Sequence, residues 1–293
     1  MFRKAYHLAN KYTKPFIVAM RFFDQRVEVG LGSFVLINKD GWMMTAAHNF
    51  GVAFGFNEHK SLIQSHQEKT IAILNNDQIH EVEKKKMLQQ LQPNKNWITH
   101  FSFLVNGQPN AILENYIYGE HDLALFRINP AVLDENSIYP KFINPKQISP
   151  GTSLCKLGFP FVEVKATFDE KTQQFIFPKN LLPLPLFPME GIYTRNMHRG
   201  MSGDGIDILF LETSSPGVKG QSGGPMFDTA GNIYAIQSQN MTVNLGYKGT
   251  IEENGLKIEE NQFLNVGIGV HPLTIEKLLQ KHGIKYERAE VAD

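Results

Sequence analysis

One serine lies in a stretch that is unusually rich in glycine, "VKGQSGGPMFD" at residues 218–228. Gly220, Gly223 and Gly224 surround Ser222, and glycine adopts backbone angles that other residues avoid. Such a stretch is either a tight turn between two strands or a loop that presents a serine hydroxyl as a nucleophile. A serine nucleophile needs a base that takes its proton and a third group that orients the base. The rest of the sequence must therefore supply a histidine and a carboxylate.

A histidine and an aspartate in suitable settings occur earlier in the chain. His48 follows an apolar, strand-like stretch in "GWMMTAAHNF", and Asp122 precedes an alternating strand pattern in "GEHDLALFRI". Either residue alone is more often structural, the histidine as a packed side chain and the aspartate as a turn or cap residue. Together with Ser222 they supply the base, the orienting acid and the nucleophile of a hydrolytic triad.

The blocks "TAAH", "DLAL" and "GQSGGP", in that order, resemble the His, Asp and Ser blocks of chymotrypsin-like serine peptidases. The order is informative because other triad enzymes present the same side chains in other orders. The resemblance is closest in style to bacterial trypsin-like peptidase domains of the Deg type, here without a PDZ domain. It implies that His48 acts as general base and acid, that Asp122 orients it and that Ser222 forms an acyl-enzyme.

The same resemblance gives the glycines a purpose. It implies that the backbone N–H groups of Gly220 and Ser222 form the oxyanion hole, where a side chain on residue 220 would crowd the substrate carbonyl. Digestive members of the family carry an aspartate before the serine, which pairs with a newly cut N-terminus. Gln221 occupies that position here, so activation by N-terminal cleavage is not expected.

Five residues are candidates for the substrate-binding surface. Pro216 stands six residues before the nucleophile, where trypsin-like enzymes that cleave after Lys or Arg place an acid. Ser238, Gln239 and Asn240 should form the edge strand that pairs with the substrate backbone, with Asn240 narrowing the pocket entrance. This arrangement predicts small or medium apolar side chains before the scissile bond. His271 would favour an acidic residue there when protonated, or it is only a histidine at the start of a helix.

Short strand-like segments separated by turn residues surround these blocks, and strands and helices do not alternate regularly. This pattern predicts an all-β fold with minor helices. The resemblance implies two six-stranded antiparallel β-barrels with the active site in the cleft between them, and then a C-terminal helix. We expect the N-terminal barrel in residues 1–140, with a helical insertion at about 57–98, and the C-terminal barrel in 141–293. The proline-rich stretch 159–190 should be a long irregular loop.

Composition argues against several classes of function. Lys and Arg (29) balance Asp and Glu (29), so no basic field attracts nucleic acid or an anionic membrane surface. Cys155 is the only cysteine, and no clustered Cys/His spacing suits a metal, so we expect no disulfide, metal or cofactor. No stretch has the roughly 20 apolar residues that span a bilayer, and none is typical of a signal peptide. We therefore expect a cytoplasmic protein, and the Deg-type resemblance points to a bacterial one.

The sequence thus predicts a serine endopeptidase, a hydrolase that acts on protein or peptide substrates. Two alternatives stay open: a catalytically silent or partner-gated module that keeps the protease fold for binding, and an esterase of small molecules. A cytoplasmic protease needs restraint, through narrow specificity, an unformed oxyanion loop or a regulatory protein partner. The insertion at 57–98 and the loop at 159–190 are candidates for that control.

Overall fold

The computed structural model describes residues 1–105, 108–109, 112–253 and 256–290 of the chain. Strands make up 42% of the protein and helices 22%, which confirms the prediction of a mostly β fold. The strands form two large barrel-like sheets, one in each half of the chain, and a helix follows the second sheet. None of the helices in the described ranges is both long and apolar enough to cross a membrane.

The first sheet contains seven antiparallel strands: β1 (Thr13–Phe22), β2 (Val27–Leu36), β3 (Trp42–Thr45), β4 (Ile98–Val105), β5 (Gln108–Pro109), β6 (Ile112–Tyr118) and β7 (Leu123–Ile128). Their spatial order is β5-β4-β1-β2-β3-β7-β6, which is one strand more than predicted because the two-residue β5 adds to the edge. Branched and aromatic residues fill the long strands, since these side chains pack well on a pleated surface. Phe126 packs against both Phe16 and Phe34, and all three rings are fully buried.

Three helices belong to the first half: α1 (Arg3–Tyr12), α2 (Gly51–Leu74) and α3 (Glu81–Gln90). Helices α2 and α3 fill the insertion between β3 and β4, and α2 begins at Gly51, earlier than the predicted position 57. The apolar "GVAFGF" segment is thus helical, and its Phe56 ring packs on Phe101 of β4 with centroids 4.9 Å apart. The insertion lies on the surface, because no residue of α2 is fully buried.

Helix α1 precedes the first sheet but packs against the second half of the chain. The Tyr12 hydroxyl donates to the Gly231 carbonyl at 3.0 Å, and the Phe2 ring lies 6.1 Å from the Phe227 ring. Ala5 faces the same contact, with its Cα atom 3.7 Å from the Cβ position of Gly231, and both Ala5 and Ala9 are fully buried. The first residues of the chain therefore connect the two halves.

The second half contains β8 (Lys141–Phe142), β9 (Ser153–Gly158), β10 (Thr167–Asp169), β11 (Gln174–Ile176), β12 (Phe187–Met201), β13 (Asp207–Thr213), β14 (Pro225–Phe227), β15 (Ile233–Glu253), β16 (Leu256–Val270) and β17 (Glu287–Arg288). The sheet order is β14-β9-β12-β13-β16-β15-β8-β17, and β14 also pairs with β15. The antiparallel pairings β14-β9-β12-β13-β16-β15-β14 therefore close a ring of six strands, as predicted. Strands β8 and β17 pair in parallel outside the ring.

The connecting segments also follow the predicted pattern. The stretch 159–190 is irregular up to the start of β12 except for the small hairpin of β10 and β11. The C-terminal helix α4 (Pro272–Lys281) is confirmed: Pro272 opens it, and Gly283 with φ of +63° follows it. The division of the chain at residue 140 stays a prediction, and Lys141 opens the first strand that pairs with the second sheet.

Candidate active site

Ser222 lies in a loop between β13 and β14 whose shape requires glycine. Gly220 and Gly223 have φ of +101° and +84°, in the left-handed region that other residues avoid. A Cβ atom on Gly223 would lie 2.1 Å from Oγ1 of Thr45 and 2.2 Å from the Ser33 carbonyl oxygen. The loop therefore packs against the first sheet at a distance that only glycine permits.

Ser33 of β2 anchors this loop from the first sheet. Its backbone N–H donates to the Ser222 carbonyl at 2.8 Å, and its hydroxyl donates to the Gly220 carbonyl at 2.7 Å. The Asn49 side chain adds a hydrogen bond of 3.2 Å to the Ser222 carbonyl. These side-chain bonds join residues 187 and 173 positions apart, so nothing in the local sequence around Ser33 or Asn49 indicates them.

His48 and Asp122 meet at adjacent ends of β3 and β7, which pair antiparallel with Thr45 opposite Ala124. His48 sits on a 3₁₀ turn (Ala47–Phe50) just after β3, and Asp122 immediately precedes β7. Asp122 has φ of +48°, a left-handed conformation that aspartate tolerates better than most residues. Nδ1 of His48 lies 3.0 Å from Oδ1 and 2.9 Å from Oδ2 of Asp122, and the His48 backbone N–H donates to Oδ1 at 3.0 Å. The carboxylate thus fixes both the ring and the backbone of the histidine.

This pairing shifts the pKa values of both His48 and Asp122. The hydrogen bond with Asp122 raises the pKa of His48, although burial opposes the shift. Burial pushes the pKa of Asp122 upward, but hydrogen bonds from His48 and from the Ser238 hydroxyl (2.5 Å) outweigh it, and the pKa is lowered. The His48 side chain is 49% exposed while that of Asp122 is 18% exposed. The pair therefore offers an accessible imidazole backed by a carboxylate that stays ionised at neutral pH.

The Ser222 hydroxyl donates to the Ser238 carbonyl at 3.5 Å. Across the described ranges it makes no hydrogen bond with His48, whose Nε2 has no partner. Ser238 therefore contacts both sides of the site, with its carbonyl toward Ser222 and its hydroxyl on Asp122. Hydrogen bonds of catalytic groups often form only when substrate is bound, so this resting geometry is compatible with a triad.

The N–H groups of Gly220 and Ser222 make no hydrogen bond to any described residue, whereas both carbonyls are occupied by Ser33. Gln221 between them is fully buried and holds the loop. Its Oε1 accepts from the Val218 N–H at 3.1 Å, and its Nε2 donates to the Phe187 carbonyl at 3.1 Å. A neutral amide thus fixes the loop and leaves two N–H groups for an anionic ligand atom.

Three of the predicted substrate-binding residues follow one another on β15. Ser238, Gln239 and Asn240 belong to β15; Gln239 and Asn240 pair with β16, Ser238 lies at a shift in the register, and no described strand pairs with the other edge of the three residues. The Gln239 amide lies against the Arg199 guanidinium, away from the loop contacts. These residues keep their predicted role as a proposal.

The Asn240 side chain forms two hydrogen bonds with Gly217. Its Oδ1 accepts from the Gly217 N–H at 2.6 Å, and its Nδ2 donates to the Gly217 carbonyl at 2.7 Å. Because Gly217 follows Pro216 directly, the two expected pocket walls are joined by a pair of hydrogen bonds. We call this pair of bonds the Asn240 clasp.

His271 lies at the N-terminal end of α4, where its Nδ1 accepts from the Leu273 N–H at 3.1 Å. The side chain is 4% exposed, and burial lowers its pKa to about 4, so the ring is neutral at neutral pH. A neutral, buried helix cap has no charge with which to attract an acidic substrate residue. The contacts therefore support the helix-start alternative for His271, and we do not include it in the site.

Lys156 of β9 is a further residue near the site, and its side chain contacts Ser215 and Pro216 from inside the second sheet. In the sequence it lies within the strand pattern "TSLCKLGFP", where one lysine among apolar residues is the only available signal. A strand lysine is normally exposed, and its burial depends on strands that come from distant parts of the chain.

A family model described as the trypsin-like peptidase domain matches residues 32–236, which include Ser222, His48 and Asp122. No curated protein matches the sequence. Among known structures, the chain is similar to the HtrA-type protease AlgW with a decapeptide, at 13% identity and a TM-score of 0.49, with 97% of this chain and 68% of that chain covered. It is also similar to AlgW with a tripeptide, at 15% identity and a TM-score of 0.47, with 97% and 64% covered. A third similar structure is the Rv3671c protease from M. tuberculosis in its active form, at 10% identity and a TM-score of 0.48, with 97% and 86% covered. The chain thus spans about two thirds of the length of the AlgW chains.

Proposed function

The chain belongs to the trypsin-like peptidase domain family, and on that premise we propose that it is a serine endopeptidase with Ser222 as its nucleophile. The observation that carries the proposal is the His48–Asp122 pair, with both carboxylate oxygens within 3.0 Å of Nδ1, next to a glycine-shaped serine loop. A structural histidine has no need of an accessible ring backed by a half-buried carboxylate. A general base needs both.

The proposed reaction begins when Ser222 Oγ turns from the Ser238 carbonyl toward Nε2 of His48. His48 takes the hydroxyl proton as Oγ attacks the substrate carbonyl, and Asp122 stabilises the imidazolium that forms. The N–H groups of Gly220 and Ser222 donate to the oxygen that becomes negative in the tetrahedral intermediate. His48 then gives the proton to the leaving amine as the C–N bond breaks. Water next attacks the acyl-enzyme carbonyl while His48 takes one of its protons, and the carboxylic acid product leaves as the C–Oγ bond breaks and His48 returns the proton to Ser222 Oγ.

The free edge of residues 238–240 supports a peptide as the substrate. An extended peptide adds to an unpaired strand edge through backbone hydrogen bonds, and the scissile bond then lies beside Ser222. We therefore favour endopeptidase activity over an esterase of small molecules, which has no use for this edge.

Two observations favour a partner-gated protease as the second candidate. Ser222 Oγ is directed at Ser238, and the Asn240 clasp closes the predicted pocket mouth. A regulatory protein that moves either group would switch the enzyme on. In that case the activated state exists only with the partner bound.

A fluorophosphonate probe tests the proposal, because it reacts with a serine only when a neighbouring base activates it. We expect covalent labelling of Ser222 in the wild type, located by peptide mass spectrometry, and no labelling or hydrolysis in Ser222→Ala. Ser61→Ala on the exposed face of α2 is the matched control and should label like the wild type. Labelling at another serine, or full hydrolysis by Ser222→Ala, would contradict the assignment.

A further inference from the structure

A fully buried lysine lies directly behind the proposed site. Lys156 has no exposed surface, and its ammonium contacts three oxygen acceptors. It donates to the Ser215 carbonyl, to the Ser215 hydroxyl at 2.9 Å and to the Pro216 carbonyl at 3.1 Å. All three acceptors are neutral. They satisfy the hydrogen bonds of the ammonium but do not balance its positive charge.

No described carboxylate neutralises this ammonium. On β9 itself the titratable neighbour is Cys155, whose thiol has its pKa raised to about 11 by burial and is therefore uncharged. The Glu190 side chain of β12 contacts the Ser153 hydroxyl, and the Glu212 side chain of β13 pairs with Arg195 at 2.7 Å. Lys156 forms no ion pair within the described ranges, and burial lowers its pKa to about 7. An isolated buried charge is costly, and proteins normally pair it.

The hydrogen bonds of Lys156 go to Ser215 and Pro216, in the segment that precedes the Ser222 loop. One of its acceptors, Pro216, precedes Gly217, which the Asn240 clasp joins to β15. Gly267 of β16 pairs with Asn240 across the sheet, and a Cβ atom on Gly267 would lie 2.7 Å from Lys156 Nζ. The ammonium therefore sits behind the clasp, in space kept free by a glycine.

A second buried polar group lies beside Gly217, one end of the clasp. Gln237 is 2% exposed, and its Oε1 has no hydrogen-bond partner among the residues described. Its amide lies so close to Gly217 that a Cβ atom there would be 2.5 Å from Nε2. An amide oxygen without a donor and an ammonium without a counter-charge thus lie next to the clasp, at Gly217 and at Pro216, and the ammonium is the group that an anionic ligand atom would pair.

We propose, on the basis of the proposed function, that Lys156 is a specificity-determining residue that selects an acidic side chain immediately before the scissile bond. The Asn240 clasp opens, the substrate side chain enters between residues 215–217 and 238–240, and its carboxylate replaces one of the three neutral oxygen acceptors of Lys156 Nζ. A substrate carboxylate pairs with the ammonium, whereas a neutral substrate side chain leaves the ammonium without a counter-charge. This difference discriminates between substrates. This proposal differs from the expectation of small or medium apolar side chains, which rests on Pro216 and Asn240.

Matched peptides that differ only at this position, with Glu, Gln, Leu or Lys, test the inference. We expect kcat/KM for the Glu peptide to exceed that for the Gln peptide by at least about thirtyfold. In Lys156→Met, which keeps the side-chain length without the charge, the Glu/Gln ratio should fall to about one, while cleavage of the Gln peptide changes only a few fold. Lys219→Met in the exposed part of the same loop is the control and should keep the wild-type ratio. Equal wild-type rates, a preference for Lys, or a ratio that depends on Lys219 would each overturn the inference.

The pH dependence of the wild type provides a test that needs no variant to fold. The substrate Glu is ionised throughout the range from about pH 6 to 8.5. Lys156 loses its proton as pH rises through about 7, so the Glu/Gln ratio should fall with rising pH. Titration of His48 affects both peptides equally and cancels in the ratio. A ratio that is constant or rises with pH would overturn the inference.

Fluorophosphonate labelling separates the two proposals. An enzyme that labels at Ser222 but shows no Glu preference, or cleaves no Glu peptide, overturns the role of Lys156 alone. A protein that neither labels nor cleaves any peptide overturns the proposed function, and the role of Lys156 with it.

Discussion

The Asp122 carboxylate is bound from three sides, by the His48 ring, the His48 backbone N–H and the Ser238 hydroxyl. Replacing it with an amide, Asp122→Asn, preserves size but favours the wrong histidine tautomer. We expect kcat to fall by about 10⁴-fold with little change in thermal stability. Peptide hydrolysis and a melting curve measure the two effects, and the exposed Asp77→Asn is the control. A loss of less than about tenfold would show that Asp122 does not orient the base.

The His48–Asp122 pair also determines how the rate of hydrolysis depends on pH. His48 must be neutral to accept the Ser222 proton, and its pKa lies above the usual 6.5 because the Asp122 hydrogen bond stabilises the imidazolium. Activity on a Gln peptide should therefore rise with pH, with a midpoint above 6.5. In Asp122→Asn the residual activity should show a lower midpoint, because the main cause of the shift is removed. An unchanged midpoint would contradict the assignment of this titration to His48.

Among individual residues, the sequence was sufficient to predict those whose side-chain type the reaction itself requires. Ser222, His48 and Asp122 stand in recognisable blocks, because a nucleophile, a base and an acid must be specific residue types. Lys156 and Ser33 could not be predicted in the same way. Their roles depend on contacts between strands far apart in the chain, and lysine and serine occur at many positions without such roles.

Among the elements, the loop that carries Ser222 depends on glycine in a way that can be measured. Gly223→Ala would place a Cβ atom 2.1 Å from Oγ1 of Thr45 while keeping φ of +84°. Gly246 in the hairpin of β15 and β16 has a similar φ of +80° but nothing within 4 Å of its Cβ position. Gly246→Ala therefore carries the backbone cost alone and is the matched control.

We expect Gly223→Ala to lower the free energy of unfolding by at least about 2 kcal/mol more than Gly246→Ala does. Chemical denaturation of both variants measures the difference. Equal destabilisation would mean that the close approach of the loop to the first sheet does not exist in solution.

The sequence predicted those strands and helices whose local residue preferences agree with their surroundings in the folded protein. Strands rich in branched and aromatic residues and the helix that Pro272 opens follow from local preferences. The start of α2 at Gly51 was missed, because "GVAFGF" is apolar enough to be a strand and only its packing on β4 makes it helical. The parallel pairings of β8 and β17 were missed as well, since two-residue strands leave no periodic pattern.

On the scale of the whole molecule, α1 connects the two halves through the Tyr12 hydroxyl and the Gly231 carbonyl. Tyr12 is 1% exposed, so Tyr12→Phe leaves a buried carbonyl without its donor. We expect a loss of about 1 kcal/mol in the free energy of unfolding. The Tyr6 hydroxyl makes no hydrogen bond among the described residues, so Tyr6→Phe should be neutral in the same denaturation experiment. Equal effects of the two variants would contradict a specific role for the Tyr12 bond.

This connection has a consequence for biosynthesis. The Tyr12 bond joins residues 219 positions apart, so α1 leaves the ribosome long before Gly231 exists. At about 5–20 residues per second, the apolar face of α1 waits between about 10 and 45 s for its binding surface. Ser222 is translated shortly before Gly231, so the nascent chain acquires its nucleophile and the docking site of α1 almost together. A ribosome-bound chain that stops before residue 222 therefore exposes the buried face of α1 to chaperones while it holds no competent triad.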